Sequence, residues 1–382
     1  KTVHQPHAGK LSVARILAGS LKDGDELTAS HGTERASGLV SLLGSQSRKR
    51  GAAMAGDVVG IGRLESFKTG TLATTDDAAP SVVYAPLPVS PPVYGHAIEL
   101  KDKKDEVKLS AAFTKMVEED PGLRLDHAMD TNELVLWGQG EMHLRVALAR
   151  LKRKYGIDAK TRLRHTPYKE TIRAATEVRG RHKKQSGGHG QFGDVVIEIR
   201  PLPRGGGFEF GEKIHGGSVP KQYIPSVEIG VKDYLNQGPL GFPVVDVAVT
   251  LLDGSYHSVD SSDMAFRQAG RLAMSEGMPK CKPVLLEPIL AVQIATPSDS
   301  TARINAIVSQ RRGQLLGFNP REGWNGWDVV DAHIPESEMA DLIVDIRSAT
   351  SGVGTFVAEF DHLNELTGRL ADEIVRNKGT AA

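Results

Sequence analysis

One cysteine, Cys281, is all the thiol chemistry this 382-residue chain holds. A single thiol excludes a disulfide framework and any cysteine-based zinc site, and it fits a reducing cytoplasm. The chain also lacks a run of 18 apolar residues and a secretory leader pattern. The expectation is therefore a soluble, cytoplasmic protein with no membrane partner. Net charge is missing too, because 47 Lys and Arg residues balance 47 Asp and Glu residues. Any affinity for nucleic acid must then come from local patches, not from a global field. A phosphate-gripping P-loop is absent as well. Gly9 and Lys10 match the end of that motif, but Leu11 stands where Ser or Thr is required and His4 where the first glycine belongs. No nucleotide cofactor and no catalytic residue is expected in this chain. No metal is expected either, since His257 has no cysteine or second histidine at ligand spacing.

A chain of this length exceeds one hydrophobic core and implies roughly three or four domains. It starts at Lys1, inside a strand-like run, which reads as an excised piece of a longer protein. Residues 1–78 alternate short apolar runs with glycine turns, the pattern of a small β-barrel. Residues 79–91, rich in alanine and proline, read as a linker. Residues 92–166 read strand, helix, strand, strand, helix, strand, a ferredoxin-like α/β sandwich. Its helices are expected to bury Leu109, Ala112, Phe113, Met116 and Val117, then Leu144, Leu148, Leu151 and Tyr155. Residues 167–287 form a separate α/β unit, with a strand over 244–252 and helices near 220–236 and 261–275. Residues 288–382 repeat the ferredoxin-like order and add a terminal helix over 364–378. The repeat is expected to start on a strand at 289–296 and to bury Met339 in its second helix. The whole is a multidomain α+β chain, and the pattern changes near 166 and 288 predict mobile hinges.

The richest local signal lies between Arg179 and Gly193. Arg179, Arg181, Lys183 and Lys184 lead into Ser186, Gly187, Gly188, His189, Gly190 and Gln191, and an alternating strand follows. Glycines allow close backbone approach, and neighbouring cations suit a phosphate-rich partner. The segment 188–193 matches G-x-G-x-x-G letter for letter. A dinucleotide site needs a strand before it and a helix after it, whereas a strand follows here, so that reading is rejected. A second polar loop carries Ser255, Tyr256 and His257, residue types that hydrogen-bond or stack on nucleotides. Glu141 and His143 open a helix, where packing and capping explain them. Arg311 and Arg312 end one, where either the helix dipole or a phosphate contact explains them.

At these residues the chain resembles the elongation factor G family over nearly its whole length. Lys1-Thr-Val and Pro6-His-Ala-Gly-Lys-Leu11 look like the middle of that family's second domain. Glu118-Glu-Asp-Pro121 and the run 138–144 look like the third. The run 185–193, Pro243-Val-Val-Asp-Val247, Asp253-Gly-Ser-Tyr-His257 and Val259-Asp-Ser-Ser262 look like the fourth. Pro283-Val-Leu-Leu-Glu-Pro288, Arg311-Arg-Gly313 and Glu359-Phe-Asp-His362 look like the fifth. The resemblance implies a β-barrel, a ferredoxin-like domain III, a ribosomal S5-like domain IV and a second ferredoxin-like domain V. It also implies a ribosome partner, with rRNA and ribosomal proteins around the factor. Loops 186–191 and 255–259 would face tRNA and mRNA at the decoding centre, and Arg311 and Arg312 would lie near rRNA. The family's first domain, which hydrolyses GTP with magnesium, is missing, so those cofactors belong to the parent protein. A monomer that couples hydrolysis to translocation is implied, or a divergent paralogue acting in recycling, protection or regulation. Several residues depart from the family pattern. His189 replaces the usual arginine, Val353 interrupts an expected Gly-Arg-Gly, Trp324 and Trp327 are unexpected, and the join 275–282 is atypical. A metabolic kinase of S5 fold ranks last, because its phosphate loop would precede a helix.

Overall fold

The computed structural model describes residues 1–5, 9–44, 46–77, 80, 89–185 and 190–380. Most of the expected linker, 79–91, lies outside them. The chain divides into two compact units, Lys1–Arg164 and His165–Ala382. Among the described residues no helix is long and apolar enough to cross a membrane.

The first unit opens with nine short strands among the described residues: β1 (Thr2–Gln5), β2 (Gly9–Arg15), β3 (Ser20–Lys22), β4 (Glu26–Ala29), β5 (Gly32–Arg35), β6 (Ser37–Leu43), β7 (Gln46–Lys49), β8 (Ala52–Met54) and β9 (Val58–Gly62). They form a sheet in the order β1-β2-β9-β6-β7 and two pairs, β3-β8 and β4-β5. This half-barrel wraps Leu27, Leu39, Val59, Ile61 and Leu64. There follow β10 (Tyr94–Leu100), α1 (Glu106–Glu119), β11 (Arg124–Ala128), β12 (Glu133–Gly138), α2 (Glu141–Tyr155) and β13 (Ala159–Arg162). The strand order β11-β12-β10-β13, antiparallel throughout, is ferredoxin-like. Helix α1 buries Leu109, Ala112, Phe113 and Met116, as its spacing predicts, whereas Val117 at the edge of that stripe is only half-buried. Helix α2 buries Leu144, Ala147 and Leu151, whereas Leu148 and Tyr155 are half-buried. The small Ala147 faces the sheet, so the buried stripe is rotated from the one that the bulkier residues predict.

The second unit begins with β14 (Lys169–Ile172), β15 (Thr176–Lys184), β16 (Gln191–Pro201), β17 (Phe208–Glu212), α3 (Ile224–Leu235), β18 (Val247–Ser255) and α4 (Asp263–Gly277). The sheet β15-β16-β18-β17 has one parallel pair, β17 with β18. The inward side chains Val195, Ile197, Val249 and Leu251 meet Phe266, Ala269 and Ala273 of α4. Strand β18 starts at Val247, three residues later than its sequence predicts. Asp246 takes a left-handed φ of 58° there, and its carboxylate accepts from Gly207 N at 3.0 Å and Arg204 Nη1 at 3.1 Å.

The chain continues through β19 (Pro283–Pro297), α5 (Thr301–Gln310), β20 (Gln314–Pro320), β21 (Trp327–Pro335), α6 (Leu342–Ala349), β22 (Thr355–Leu366) and α7 (Arg369–Thr380). Strand β19 pairs with β14 through Pro283–Leu286, with β21 through Ile289–Pro297, and with β22 through Leu285–Ala295. The expected hinge near 288 therefore falls inside a continuous strand. The terminal helix begins at Arg369, because Asn364–Leu366 still pair with Leu285–Glu287. Helix α6 begins at Leu342, which leaves Met339 half-buried ahead of it.

Candidate RNA-facing tip

Strands β15 and β16 form an antiparallel hairpin, with Lys184 opposite Gln191 and Arg181 opposite Asp194. Ser186, Gly187, Gly188 and His189, which stand between the two strands in sequence, lie outside the described residues. Gly190 and Gln191 are described, and they meet the second loop although 70 residues separate Gly190 from Asp260. Gly190 N donates to Asp260 Oδ1 at 3.0 Å, and Phe192 N to the Asp260 carbonyl at 2.8 Å. Ser261 Oγ donates to the Phe192 carbonyl at 2.9 Å and accepts from His257 N at 2.9 Å. A Cβ at position 190 would stand 2.9 Å from the Asp260 carboxylate carbon, so a larger residue there would have to displace the Asp260 side chain. Ser262 caps α4 by accepting from Ala265 N at 3.3 Å, which fixes the loop's exit.

The anchor below is Asp194, fully buried. Arg179 grips it with two hydrogen bonds, at 2.8 and 2.5 Å, and Ser255 Oγ donates at 2.9 Å. Burial alone would raise the Asp194 pKa, but the bonds from Arg179 and Ser255 outweigh it and hold the carboxyl below its usual range. Arg179 and Ser255 thus hold the hairpin in place rather than facing a ligand. Sequence reasoning missed Asp194, Asp260 and Ser261; Asp194 sits on the outward face of β16, between the inward Gly193 and Val195, where a carboxylate draws no notice.

What remains outward is a set of hydrogen-bonding and stacking groups. His257 Nδ1 accepts from Val259 N and Asp260 N, at 3.3 and 3.2 Å. The Asp260 carboxylate lies 3.4 Å from the same nitrogen, and His257 Nε2 has no partner among the described residues. Its ring meets Phe192 edge-on at 6.4 Å, and Arg181 lies 5.4 Å from the same Phe192 ring. Tyr256 is 52% exposed. Lys183 and Lys184 are exposed and have no ion-pair partner among the described residues. Gln191 Oε1 accepts from His182 Nε2 at 2.9 Å. The arrangement can bind a phosphate-bearing, base-bearing partner.

The remaining residues singled out from the sequence have internal partners. Lys10 sits 2.5 Å from Glu118 and donates to the Glu65 and Phe67 carbonyls, and His4 Nε2 lies 2.7 Å from Glu118. His143 accepts from Gln139 N and lies 3.1 Å from Asp120, which makes it a capping residue at the start of α2. Glu141 faces Arg145 at 3.7 Å. Arg312 forks onto Glu287 at 3.0 and 2.8 Å and reaches Glu338 at 2.8 Å. Arg311 bonds the carbonyls of Glu338 and Ala340 and the Asp345 carboxylate. Both arginines therefore serve the chain's own packing.

Three sequence-family models match in order: elongation factor G domain III over residues 89–163, its domain IV over 164–282, and its C-terminus over 284–374. The chain belongs to the elongation factor G family. An "Elongation factor G-like protein" of Synechocystis sp. is 52% identical over 98% of this chain and 55% of its own length. "Elongation factor G" of Aquifex pyrophilus is 40% identical over 98% of this chain and 53% of its own. A crystal structure from Thermus thermophilus superposes with a TM-score of 0.82 at 35% identity, covering 100% of this chain and 57% of that one. The chain thus spans about half the length of the curated elongation factor G relatives it matches. Among the departures from that family's pattern, Val353 stands exposed, and Arg321 stacks on Trp324 at 4.1 Å.

Proposed function

We propose that this chain is the ribosome-engaging part of a cytoplasmic, monomeric translational GTPase. In this reading the 165–282 tip meets tRNA and mRNA while a separate domain hydrolyses GTP with magnesium. The observation that carries the reading is the stitched tip. Two segments far apart in sequence are locked together, and they leave Lys183, Lys184, Tyr256 and His257 Nε2 for an RNA partner. Cations then contribute salt-dependent affinity, and the imidazole and phenol contribute hydrogen bonds and stacking. The chain itself performs no chemistry.

The test uses the full-length factor on ribosomes. His257→Ala should leave GTP hydrolysis near normal and slow tRNA–mRNA movement. Loss of one polar contact costs on the order of 1–3 kcal/mol, a roughly tenfold to hundredfold rate effect if the contact forms in the transition state. Unchanged movement in that variant would remove the reading. A second reading, a divergent paralogue acting in ribosome recycling, protection or regulation, is favoured by the higher identity to a relative named elongation factor G-like. Subunit splitting affected by His257→Ala, with translocation absent in the unmodified factor, would select it.

A further inference from the structure

We infer that His333, Asp361 and His362 form a binding site for a divalent transition-metal ion, zinc by preference, on the open face of the β19-β21-β22 sheet. One donor atom from each of the three side chains lies within 4.8 Å of the others. His333 belongs to β21, and Asp361 and His362 belong to β22, on the two sides of β19. Strands separated by a third strand are about 9.5 Å apart, yet the two imidazole rings stand 5.5 Å apart at an angle of 69°. Two local features bring them together. The residue of β19 opposite His333 is Ala291, whose methyl leaves the rings room to approach. On the other side, the pairing jumps from Ile289 opposite His362 to Leu290 opposite Phe360, which leaves Asp361 as the extra residue of a β-bulge. Such bulges re-aim side chains, and here Asp361 is placed beside His362.

The donor set fits the ion. Two imidazoles and one carboxylate suit zinc and its first-row neighbours, with a fourth position left to water. A tetrahedral ion with bonds of about 2.0–2.1 Å needs donors about 3.3 Å apart. His333 Nε2 and Asp361 Oδ2 are 3.8 Å apart, and His362 Nδ1 and Asp361 Oδ2 are 2.5 Å apart. A small change of side-chain rotamer reconciles both distances with one ion. The sequence held no signal for the site, because 28 residues separate His333 from Asp361 and the bulge is invisible in the letters. The inference is independent of what the tip binds.

The full 382-residue chain should be titrated with Zn²⁺ by calorimetry and with Co²⁺ by visible absorption. The expected result is one equivalent bound with a Kd of about 10 μM or tighter, together with the visible bands of tetrahedral Co²⁺. His333→Gln and His362→Gln should each weaken binding about tenfold or more. Asp361→Asn, which keeps a hydrogen-bonding side chain beside His362, should weaken it as well. His215→Gln, at an exposed site outside the cluster, should bind as the parent does. Circular dichroism confirms that each variant is folded. No saturable binding by the parent chain, or undiminished binding by folded His333→Gln, overturns the inference and leaves only a hydrogen bond between Asp361 and His362.

Discussion

Replacing Gly193 with alanine should unseat the tip from its support. Gly193 lies on β16 directly beneath the first turn of α4. A Cβ there would stand 2.5 Å from the Ala265 carbonyl oxygen, 2.7 Å from its carbon and 3.0 Å from Phe266 N. All three are backbone atoms of a helix, so no side-chain rotation relieves the clash. The closest contact is about 0.9 Å short of an ordinary one, and dispersion turns to repulsion well before that distance. Forcing one methyl into a well-packed interior costs about 1–3 kcal/mol, and a backbone obstacle places this case near 3 kcal/mol. For a unit of roughly 200 residues that is a fall in Tm of about 6–12 °C. Gly211→Ala is the control, because a Cβ there meets nothing within 4 Å; it should be neutral or gain about 0.4–1 kcal/mol. Calorimetric melting of both variants measures the difference. Hydrogen exchange supplies a second readout, since displacement of α4 should loosen the Phe192 N–H bond to Asp260. If Gly193→Ala melted with Gly211→Ala and kept Phe192 protected, the close packing of β16 against α4 would not be what holds the tip.

Burial pushes the Glu170 carboxyl up to about 7 from 4.5, partly offset by backbone N–H donors from Leu240 and Phe242. A raised folded pKa means that its stabilisation is full below about pH 4.5 and is lost as pH rises to about 7, by at most about 3 kcal/mol. Glu170→Gln should flatten the stability–pH curve in that window; an unchanged slope, measured by denaturant titration at several pH values, would refute it. Arg312→Ala strips the buried Glu287 of its forked partner, and a denaturation loss of about 2 kcal/mol is expected after screening on the exposed side. Unaltered stability would instead free Arg312 for an RNA role. Burial raises the Cys281 thiol and closes it off, so an aromatic disulfide reagent should label it only as the chain unfolds; rapid labelling of the native protein would contradict this.

The helical parts of the fold were legible because their buried stripes recur at helical spacing. Leu109, Ala112, Phe113 and Met116 mark α1 without ambiguity. Strand ends were less legible, because their limits are set by distant partners. Asn364–Leu366 look helical with the residues after them, but they pair with Leu285–Glu287 and stay extended. Val244 looks like the start of β18, yet the left-handed Asp246 delays it. At the tip, the glycines, the lysines and His257 announced themselves by composition. The groups that fasten the tip did not: Asp260 and Ser261 bond backbone about 70 residues away, and Asp194 bonds the side chains of Arg179 and Ser255, and neither leaves a local pattern. Arg311 and Arg312 show the converse: cations at a helix end look available until their carboxylate partners are seen.

Strand β19 has a mechanical consequence. Its 15 residues span about 50 Å without a break. One end is hydrogen-bonded to β14 and the other to β21, and β22 runs along its far side. Glu365 on β22 clasps Arg173 at 2.5 Å and Arg204 at 3.1 Å, which ties the tip-bearing half to the C-terminal half twice more. Bending the chain at residue 288 means breaking β19 ladder bonds and these ion pairs together. Compliance within the second unit is therefore expected elsewhere, at the packing between the β19 sheet and the separate sheet β15-β16-β18-β17 that carries Lys183 and His257.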